Sequence, residues 1–109
     1  MLSKLFGGTT VEKILFFMLV YEEGYARQIS RLFQVAFDPV NKQLSKLEDA
    51  GVLISKLKGR TKIFTWNPRY PFLIEMKALI KKAFEYMPEE DKKKYYMERT
   101  RPRKSDKPL

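Results

Sequence analysis

The clearest pattern along the chain is a series of apolar stretches with helical spacing, separated by short polar turns. The first predicted helix runs from Thr9 to about Val20, and its seven residues from Ile14 onward are all apolar. Thr9 followed by Glu12 has the spacing of a capping box, which predicts that the helix begins there. Because this helix is apolar on every side, it must be covered on more than one side.

Two further helices are predicted next. After a turn at residues 22–24, the second helix covers Ala26 to Phe33 and has apolar residues on one face. Its other face carries Arg27, Gln28, Ser30 and Arg31. The third helix has Asp38 as its predicted N-cap, Pro39 at its first position and Gly51 as a left-handed stop. A short connection between them, residues 34–37, predicts a helix-turn-helix.

The third helix is amphipathic. Val40, Leu44 and Leu47 follow the i, i+4, i+7 spacing of an inward face. The outward face is polar and carries Asn41, Lys42, Ser45 and Lys46, with Gln43 at its margin.

A hairpin and a last long helix complete the predicted elements. Residues 52–57 and 62–66 have strand character and flank a turn that contains Gly59. The last helix is expected from Pro71 to Tyr86. The order helix, helix, helix, hairpin, helix predicts an α+β chain that is mainly α.

The chain carries a net charge of +9, which favours an acidic partner, with nucleic acid ahead of an anionic membrane. However, residues 92–109 hold eight Lys or Arg and two Asp or Glu, so most of this excess lies in the tail. We expect one domain over residues 1–87, followed at 88–109 by a short helix and a basic, disordered tail. The tail either adds DNA affinity or only keeps the protein soluble.

The composition excludes several kinds of chemistry. The chain has no cysteine and no histidine, which rules out disulfides, the usual zinc sites and catalysis by Ser–His or Cys–His pairs. The acidic run Glu89, Glu90 and Asp91 is better explained by a helix start than by a metal. We therefore expect no metal, no cofactor and no enzymatic activity. No signal peptide is visible and the longest apolar run is too short to span a bilayer, so we expect a cytoplasmic protein without membrane contact.

Cations and polar side chains are placed where a DNA-binding protein needs them. A helix with an Asn, Lys and Ser face fits the major groove, where such side chains read base edges. A hairpin turn with four basic residues suits the phosphate backbone or the minor groove. The candidate DNA-binding residues are Arg27, Arg31, Pro39, Asn41, Lys42, Gln43, Ser45, Lys46, Lys56, Lys58, Arg60 and Lys62.

The stretch from Asp38 to Leu53 resembles the recognition helix and first wing strand of ArsR-like winged-helix regulators. Its most telling part is Leu44-x-x-Leu47-Glu48-x-Ala50-Gly51-Val52-Leu53, and residues 58–61 with the aromatic strand after them are similar to that family's wing. The resemblance covers roughly residues 5 to 86. It implies a winged helix-turn-helix with a three-helix core, a hairpin wing and a C-terminal dimerisation helix.

Two features depart from the family. Its founding members sense metals through Cys and His ligands, which this chain lacks, so metal sensing of that kind is not expected. The turn of the helix-turn-helix often has Gly where Gln34 stands, which predicts a slightly different turn.

The resemblance also implies a homodimer that binds operator DNA, with the first and last helices as its interface. Two long apolar helices exceed what a small hairpin can cover, which favours the dimer over a helix pair that only completes a monomeric core. Two recognition helices about 34 Å apart would match a palindromic site. The candidate interface residues are Ile14, Phe17, Met18, Phe72, Met76, Leu79, Ile80 and Phe84.

The predicted function is therefore sequence-specific binding of double-stranded DNA by a homodimeric transcription regulator. A protein–protein adaptor is one alternative, and it would need an exposed apolar patch on the third helix. An RNA-binding module is another, and it would need exposed aromatic side chains such as Phe64 or Trp66 beside the basic surface.

Overall fold

The computed structural model describes residues 2–97, which form a mainly helical chain with a small sheet. The elements are α1 (Ser3–Phe6), α2 (Thr9–Tyr21), β1 (Glu23–Gly24), α3 (Ala26–Phe33), α4 (Phe37–Asp49), β2 (Leu53–Lys58), β3 (Thr61–Trp66), α5 (Leu73–Glu85), α6 (Glu89–Asp91) and a π-helical segment (Lys92–Met97). The basic tail predicted to be disordered lies, from residue 98 onward, outside the described residues.

Helix α2 occupies the centre of the core. Its residues from Ile14 to Met18 are buried in succession, as the all-round apolar pattern requires. Helix α4 packs on one side of it and α5 on another. The prediction that this helix must be covered on several sides is therefore confirmed within a single chain.

The capping box predicted at Thr9 is wrong, although α2 does begin at that residue. The N-cap residue is Gly8, which has no side chain that could cap the helix. The Glu12 carboxylate instead accepts the backbone N–H of Leu2 at 2.5 Å. Glu12 thus ties α1 to α2, a contact that could not be predicted because α1 itself was not anticipated.

Helix α3 has the predicted bounds. The side-chain oxygen of Gln28 accepts the backbone N–H of Tyr25 at 3.1 Å and so holds the start of the helix. Ser30, predicted on the polar face, is buried, and its hydroxyl donates to the carbonyl of Arg27 at 3.0 Å. This local bond satisfies the hydroxyl, which is why a serine is tolerated inside.

The turn after α3 depends on an unusual backbone conformation. Gln34 has φ +57°, in the left-handed region that glycine adopts at no steric cost. The backbone N–H of Val35 then donates to the carbonyl of Ser30 at 3.0 Å. A glycine would be suited to the backbone geometry that Gln34 adopts.

Helix α4 begins two residues earlier than predicted, so Asp38 is not its N-cap. The chain enters the helix from extended backbone at Ala36, and Phe37 is the first helical residue. Asp38 lies in the first turn, where a carboxylate is favoured by the positive end of the helix. Pro39 is tolerated beside it because the N–H groups of a first turn have no partner within the helix.

The end of α4 is as predicted. Gly51 has φ +85°, and its N–H donates to the carbonyl of Glu48 at 2.9 Å. The next N–H, of Val52, donates to the carbonyl of Leu47 at 3.0 Å. These two bonds close the helix in the manner typical of a left-handed glycine stop and turn the chain into the sheet.

The sheet is antiparallel with strand order β1-β3-β2. We call the hairpin of β2 and β3 the wing. Its register runs from the pair Leu53 and Trp66 to the pair Lys58 and Thr61, which leaves a two-residue loop. The first loop residue, Gly59, has φ +66°, as tight hairpin turns require.

Strand β1 was predicted only as part of a turn. It consists of Glu23 and Gly24, which pair with Thr65 and Phe64 of β3. The ring of Phe17 lies where a Cβ on Gly24 would project, so only glycine lets the strand approach α2 this closely.

Trp66 fixes the wing to the body of the protein. Its side chain is buried, and its indole N–H donates to the carbonyl of Met18 at 3.0 Å. This bond links the last residue of β3 to the central helix and satisfies the indole's polar group.

The segment after α5 belongs to the same core. Helix α5 starts at Leu73, two residues later than predicted. Tyr96 is 3% exposed and packs its ring against Phe16, Phe33 and Phe84, at centroid distances of 5.5 to 6.2 Å. Packing therefore continues past the predicted boundary at residue 87.

Four of the predicted dimer-interface residues lie in the core of one chain. Ile14, Phe17, Met18 and Ile80 are at most 2% exposed. They are unavailable to a second chain because other parts of the same chain already cover them, and for these residues the prediction is wrong. Phe72 and Leu79 are exposed, whereas Met76 and Phe84 are partly buried.

Among residues 2–97, none of the helices is both long enough and apolar enough to cross a membrane.

We expect Gln34→Gly to stabilise the protein by about 1 kcal/mol, because it removes the cost of a left-handed backbone at a residue with a Cβ. Denaturant unfolding of both proteins measures the difference. Lys82→Gly on the exposed side of α5 is the control and should instead destabilise by about 1 kcal/mol. Equal or lower stability of Gln34→Gly would contradict this explanation of the turn.

Candidate nucleic-acid interface

The outward face of α4 is polar and open to solvent. Val40 and Leu44 are at most 1% exposed and fix the helix to α2, which turns the opposite face outward. Pro39, Asn41, Lys42 and Lys46 are exposed, and Gln43 and Ser45 are partly buried. Of the predicted DNA-contact residues on α4, four are therefore fully presented and two lie at the margin.

The wing carries exposed cations beside this helix. Lys56, Lys58 and Arg60 are exposed and have no ion pair with any residue in the described part of the chain. Lys62 differs, because its ammonium lies 3.2 Å from the Glu48 carboxylate and 5.4 Å from the centre of the Phe64 ring. Three of the four predicted wing cations thus remain unneutralised.

Glu48 connects the end of α4 to both strands of the wing. Its carboxylate accepts the hydroxyl of Ser55 on β2 at 2.6 Å and pairs with Lys62 on β3. The Ser55 hydrogen bond, aided by Lys62, lowers the pKa of Glu48 below its usual 4.5. This role was not predicted, since the i to i+7 spacing of Glu48 and Ser55 gives no sign of contact until the hairpin is folded.

A groove of about 440 Å³ lies between the start of α3, the start of α4 and the wing. Its lining includes four predicted DNA-contact residues with positive charge, Arg27, Arg31, Arg60 and Lys62, together with Asn41 of α4. We call it the basic groove. The structure therefore brings together cations from α3 and from the wing that are far apart in sequence.

Phe37 lies at the junction of the two helices in this groove. The guanidinium of Arg27 lies over its ring, 4.4 Å from the centroid. A cation at that position is held by the negative face of the ring. In the sequence, Phe37 was interpreted only as part of the connection, because a single aromatic residue beside a turn gives no periodic signal.

The aromatic side chains required by an RNA-binding site are not presented on the sheet. Phe64 and Trp66 are 1% and 7% exposed and belong to the core. Neither offers a face on which a base could stack.

The acidic run at Glu89, Glu90 and Asp91 forms the short helix α6. Across residues 2–97, the structure contains no group of three or more acidic, Cys or His side chains arranged to hold a metal ion.

Comparison with solved structures relates the fold to known proteins, although no protein-family model and no curated protein matches the chain. The apo form of a mutant of ZitR from Lactococcus lactis superposes with a TM-score of 0.55 at 20% identity. The match covers 77% of this chain and 66% of ZitR, so this chain spans slightly less than two thirds of that protein.

The transcriptional regulator Tm0710 from Thermotoga maritima also has a TM-score of 0.55, at 18% identity. That match covers 84% of this chain and 71% of Tm0710. At such identities the likeness concerns the fold alone. The element order, the helix-turn-helix and the three-stranded antiparallel sheet define the chain as an α+β, mainly helical, winged helix-turn-helix.

The stability that the contacts of Glu48 with Ser55 and Lys62 provide should depend on pH. Because the pKa of Glu48 is lowered in the folded protein, its contribution to stability is present at neutral pH and is lost as pH falls below 4.5. We expect Glu48→Gln to be about 0.5 kcal/mol less stable than the parent protein at pH 7, the size usual for a partly exposed ion pair.

Denaturant unfolding at pH values of about 7 and about 3 tests this, with Glu75→Gln on the exposed side of α5 as the control. The difference between parent and Glu48→Gln should shrink in acid, because the unfolded chain takes up a proton at Glu48 at a higher pH than the folded protein does. A difference that is unchanged between the two pH values would show that the Glu48 charge does not matter.

Proposed function

We propose that this chain is a sequence-specific DNA-binding transcription regulator that acts as a homodimer. Helix α4 enters the major groove, and the wing contacts the phosphate backbone or the minor groove. The observation that carries the proposal is the polar, exposed face of α4, with Asn41 and Lys42 near its start, lying beside three unneutralised wing cations.

The placement of charge supports this mode of binding. Arg60 and Lys62 of the wing and both arginines of α3, Arg27 and Arg31, line the basic groove. Contacts between such cations and phosphates fix the position of a protein on DNA and weaken as salt is raised. The amide of Asn41 has both a donor and an acceptor, which suits paired hydrogen bonds to an adenine edge, and the ammonium of Lys42 can donate to guanine.

The similar solved structures support the general part of the proposal, a transcription regulator with a winged-helix fold. Tm0710, with which the chain shares its fold, is described as a transcriptional regulator. Membership of the ArsR-like branch rests on the motif at residues 38–53 and the wing turn alone, since neither ZitR nor Tm0710 is described as ArsR-like. The proposal includes a cytoplasmic location and requires no catalysis, cofactor or metal.

The dimer interface that we propose lies on one side of α5 and retains Phe72, Met76 and Leu79 of the predicted set. Phe72 precedes α5, Leu79 lies within it and Tyr86 follows it, and they are 60%, 42% and 71% exposed. Their seven-residue spacing favours one side of the helix. Met76 lies between the first two of them. A stripe with this repeat suits antiparallel or parallel packing against the same helix of a second chain.

The two alternative functions need surfaces of other kinds. An adaptor would present apolar side chains on the outer face of α4, and the exposed residues there are polar or charged apart from Pro39. The RNA-binding alternative loses Phe64 and Trp66, which are buried, and keeps Tyr25, which is 37% exposed and lines the basic groove.

We expect replacement of both Asn41 and Lys42 by Ala to reduce discrimination between duplexes. Each lost base contact should cost about tenfold in affinity for the preferred sequence and little elsewhere. Fluorescence anisotropy with a panel of duplexes of equal length measures the effect. Arg60→Ala is the contrasting variant and should weaken binding to all duplexes alike, because it removes a phosphate contact.

Lys81→Ala, on the exposed side of α5, controls for the loss of one positive charge. If the double variant kept the affinity of the parent protein for every duplex, α4 would not read bases and this mode of binding would be wrong.

A further inference from the structure

We propose that the basic groove is a binding site for a single phosphate group, held by guanidinium groups from α3 and from the wing. The site adds a specific phosphate contact to the proposed function, and its binding of DNA rests on that function. The phosphate group can come from a phosphodiester of the DNA backbone or from a free phosphorylated ligand. Separate titrations distinguish these two sources.

The lining of the basic groove has an excess of positive charge. Four cationic side chains line it, and its lining contains no acidic residue. Lys62 is neutralised by Glu48 at 3.2 Å, but in the part of the chain that the structure describes Arg27, Arg31 and Arg60 have no ion pair. An anion from outside the chain would balance these three charges.

Two of these like charges lie next to each other on α3. Arg27 and Arg31 are one helical turn apart, a spacing at which like charges destabilise a helix by about 0.2–0.5 kcal/mol. A carboxylate between them would relieve the repulsion, and none lines the groove. A phosphate bound between them would turn this repulsion into two favourable contacts.

One guanidinium is already oriented before any ligand binds. The ring of Phe37 holds Arg27 at 4.4 Å from its centroid, at the junction of α3 and α4. A side chain that is fixed before binding loses less conformational entropy when the ligand arrives. Phe37 is therefore a positioning residue, and Arg27 is the group that touches the ligand.

The chemistry of the groove fits phosphate among the anions. Guanidinium groups bind phosphate oxygens through paired, parallel hydrogen bonds. The hydroxyl of Thr61 and the amide of Asn41, both in the lining, add neutral donors. Three planar cations around one tetrahedral anion match its several oxygens better than they match a single carboxylate.

Two titrations test the site. In the first, duplexes with one neutral methylphosphonate at each backbone position are titrated with the parent protein and with Arg27→Ala, Arg60→Ala and Arg69→Ala. Arg69 is exposed but lies outside the groove, so it is the matched control. In the second, inorganic pyrophosphate is titrated without DNA while the NMR signals of the arginine side chains are followed.

If DNA supplies the phosphate, one methylphosphonate position should cost the parent protein and Arg69→Ala about tenfold in affinity. The same position should cost Arg27→Ala and Arg60→Ala almost nothing, because their contact is already lost. Phe37→Leu should reduce the affinity loss caused by that methylphosphonate. Arg27→Lys should show a larger loss than Arg27→Ala but a smaller one than the parent protein.

If a free ligand supplies the phosphate, pyrophosphate should shift the NMR signals of Arg27 and Arg60 until the site is saturated. A methylphosphonate at any backbone position should then change the affinities of the parent protein, Arg27→Ala and Arg60→Ala by the same factor. Failure of both titrations would overturn the site. If duplex affinity still depended on Asn41 and Lys42 in that case, the proposed function would remain supported without the phosphate site. If the protein bound no duplex but bound pyrophosphate, the phosphate site would remain supported and the proposed function would be wrong.

Discussion

The burial of α2 is the constraint from which the rest of the structure follows. A helix that is apolar on every side cannot lie at a surface, so each neighbouring element must present an apolar face to it. Val40 and Leu44 do so for α4, and Ile80 does so for α5. Because the apolar seam of α4 is used in this contact, the polar side chains of that helix are left facing solvent.

The candidate site is assembled from three elements that are separate in sequence. Helix α3 supplies two arginines, α4 supplies the polar face, and the wing supplies further cations. Two contacts hold these parts in place, the indole of Trp66 on α2 and the carboxylate of Glu48 on both wing strands. The candidate site is thus formed within the unbound chain, which would lower the entropy cost of the proposed DNA binding.

Patterns that repeat along the chain predicted the structure well, and single local contacts did not. The bounds of α3 and the glycine stop of α4 follow from periodicity and residue type. Strand β1 is two residues long and has no alternation to detect. The contacts of Glu48 and of Phe37 join elements that only the folded chain brings together, so the sequence carried no signal for them.

Selection of bound duplexes from a random pool would show whether the outward face of α4 reads DNA sequence and whether two copies do so together. It assumes no target, so its outcome does not depend on a guessed operator. We expect enrichment of a palindromic motif whose half-sites lie one helical turn, about 34 Å, apart. A bound pool with no common motif would contradict sequence-specific binding by this helix.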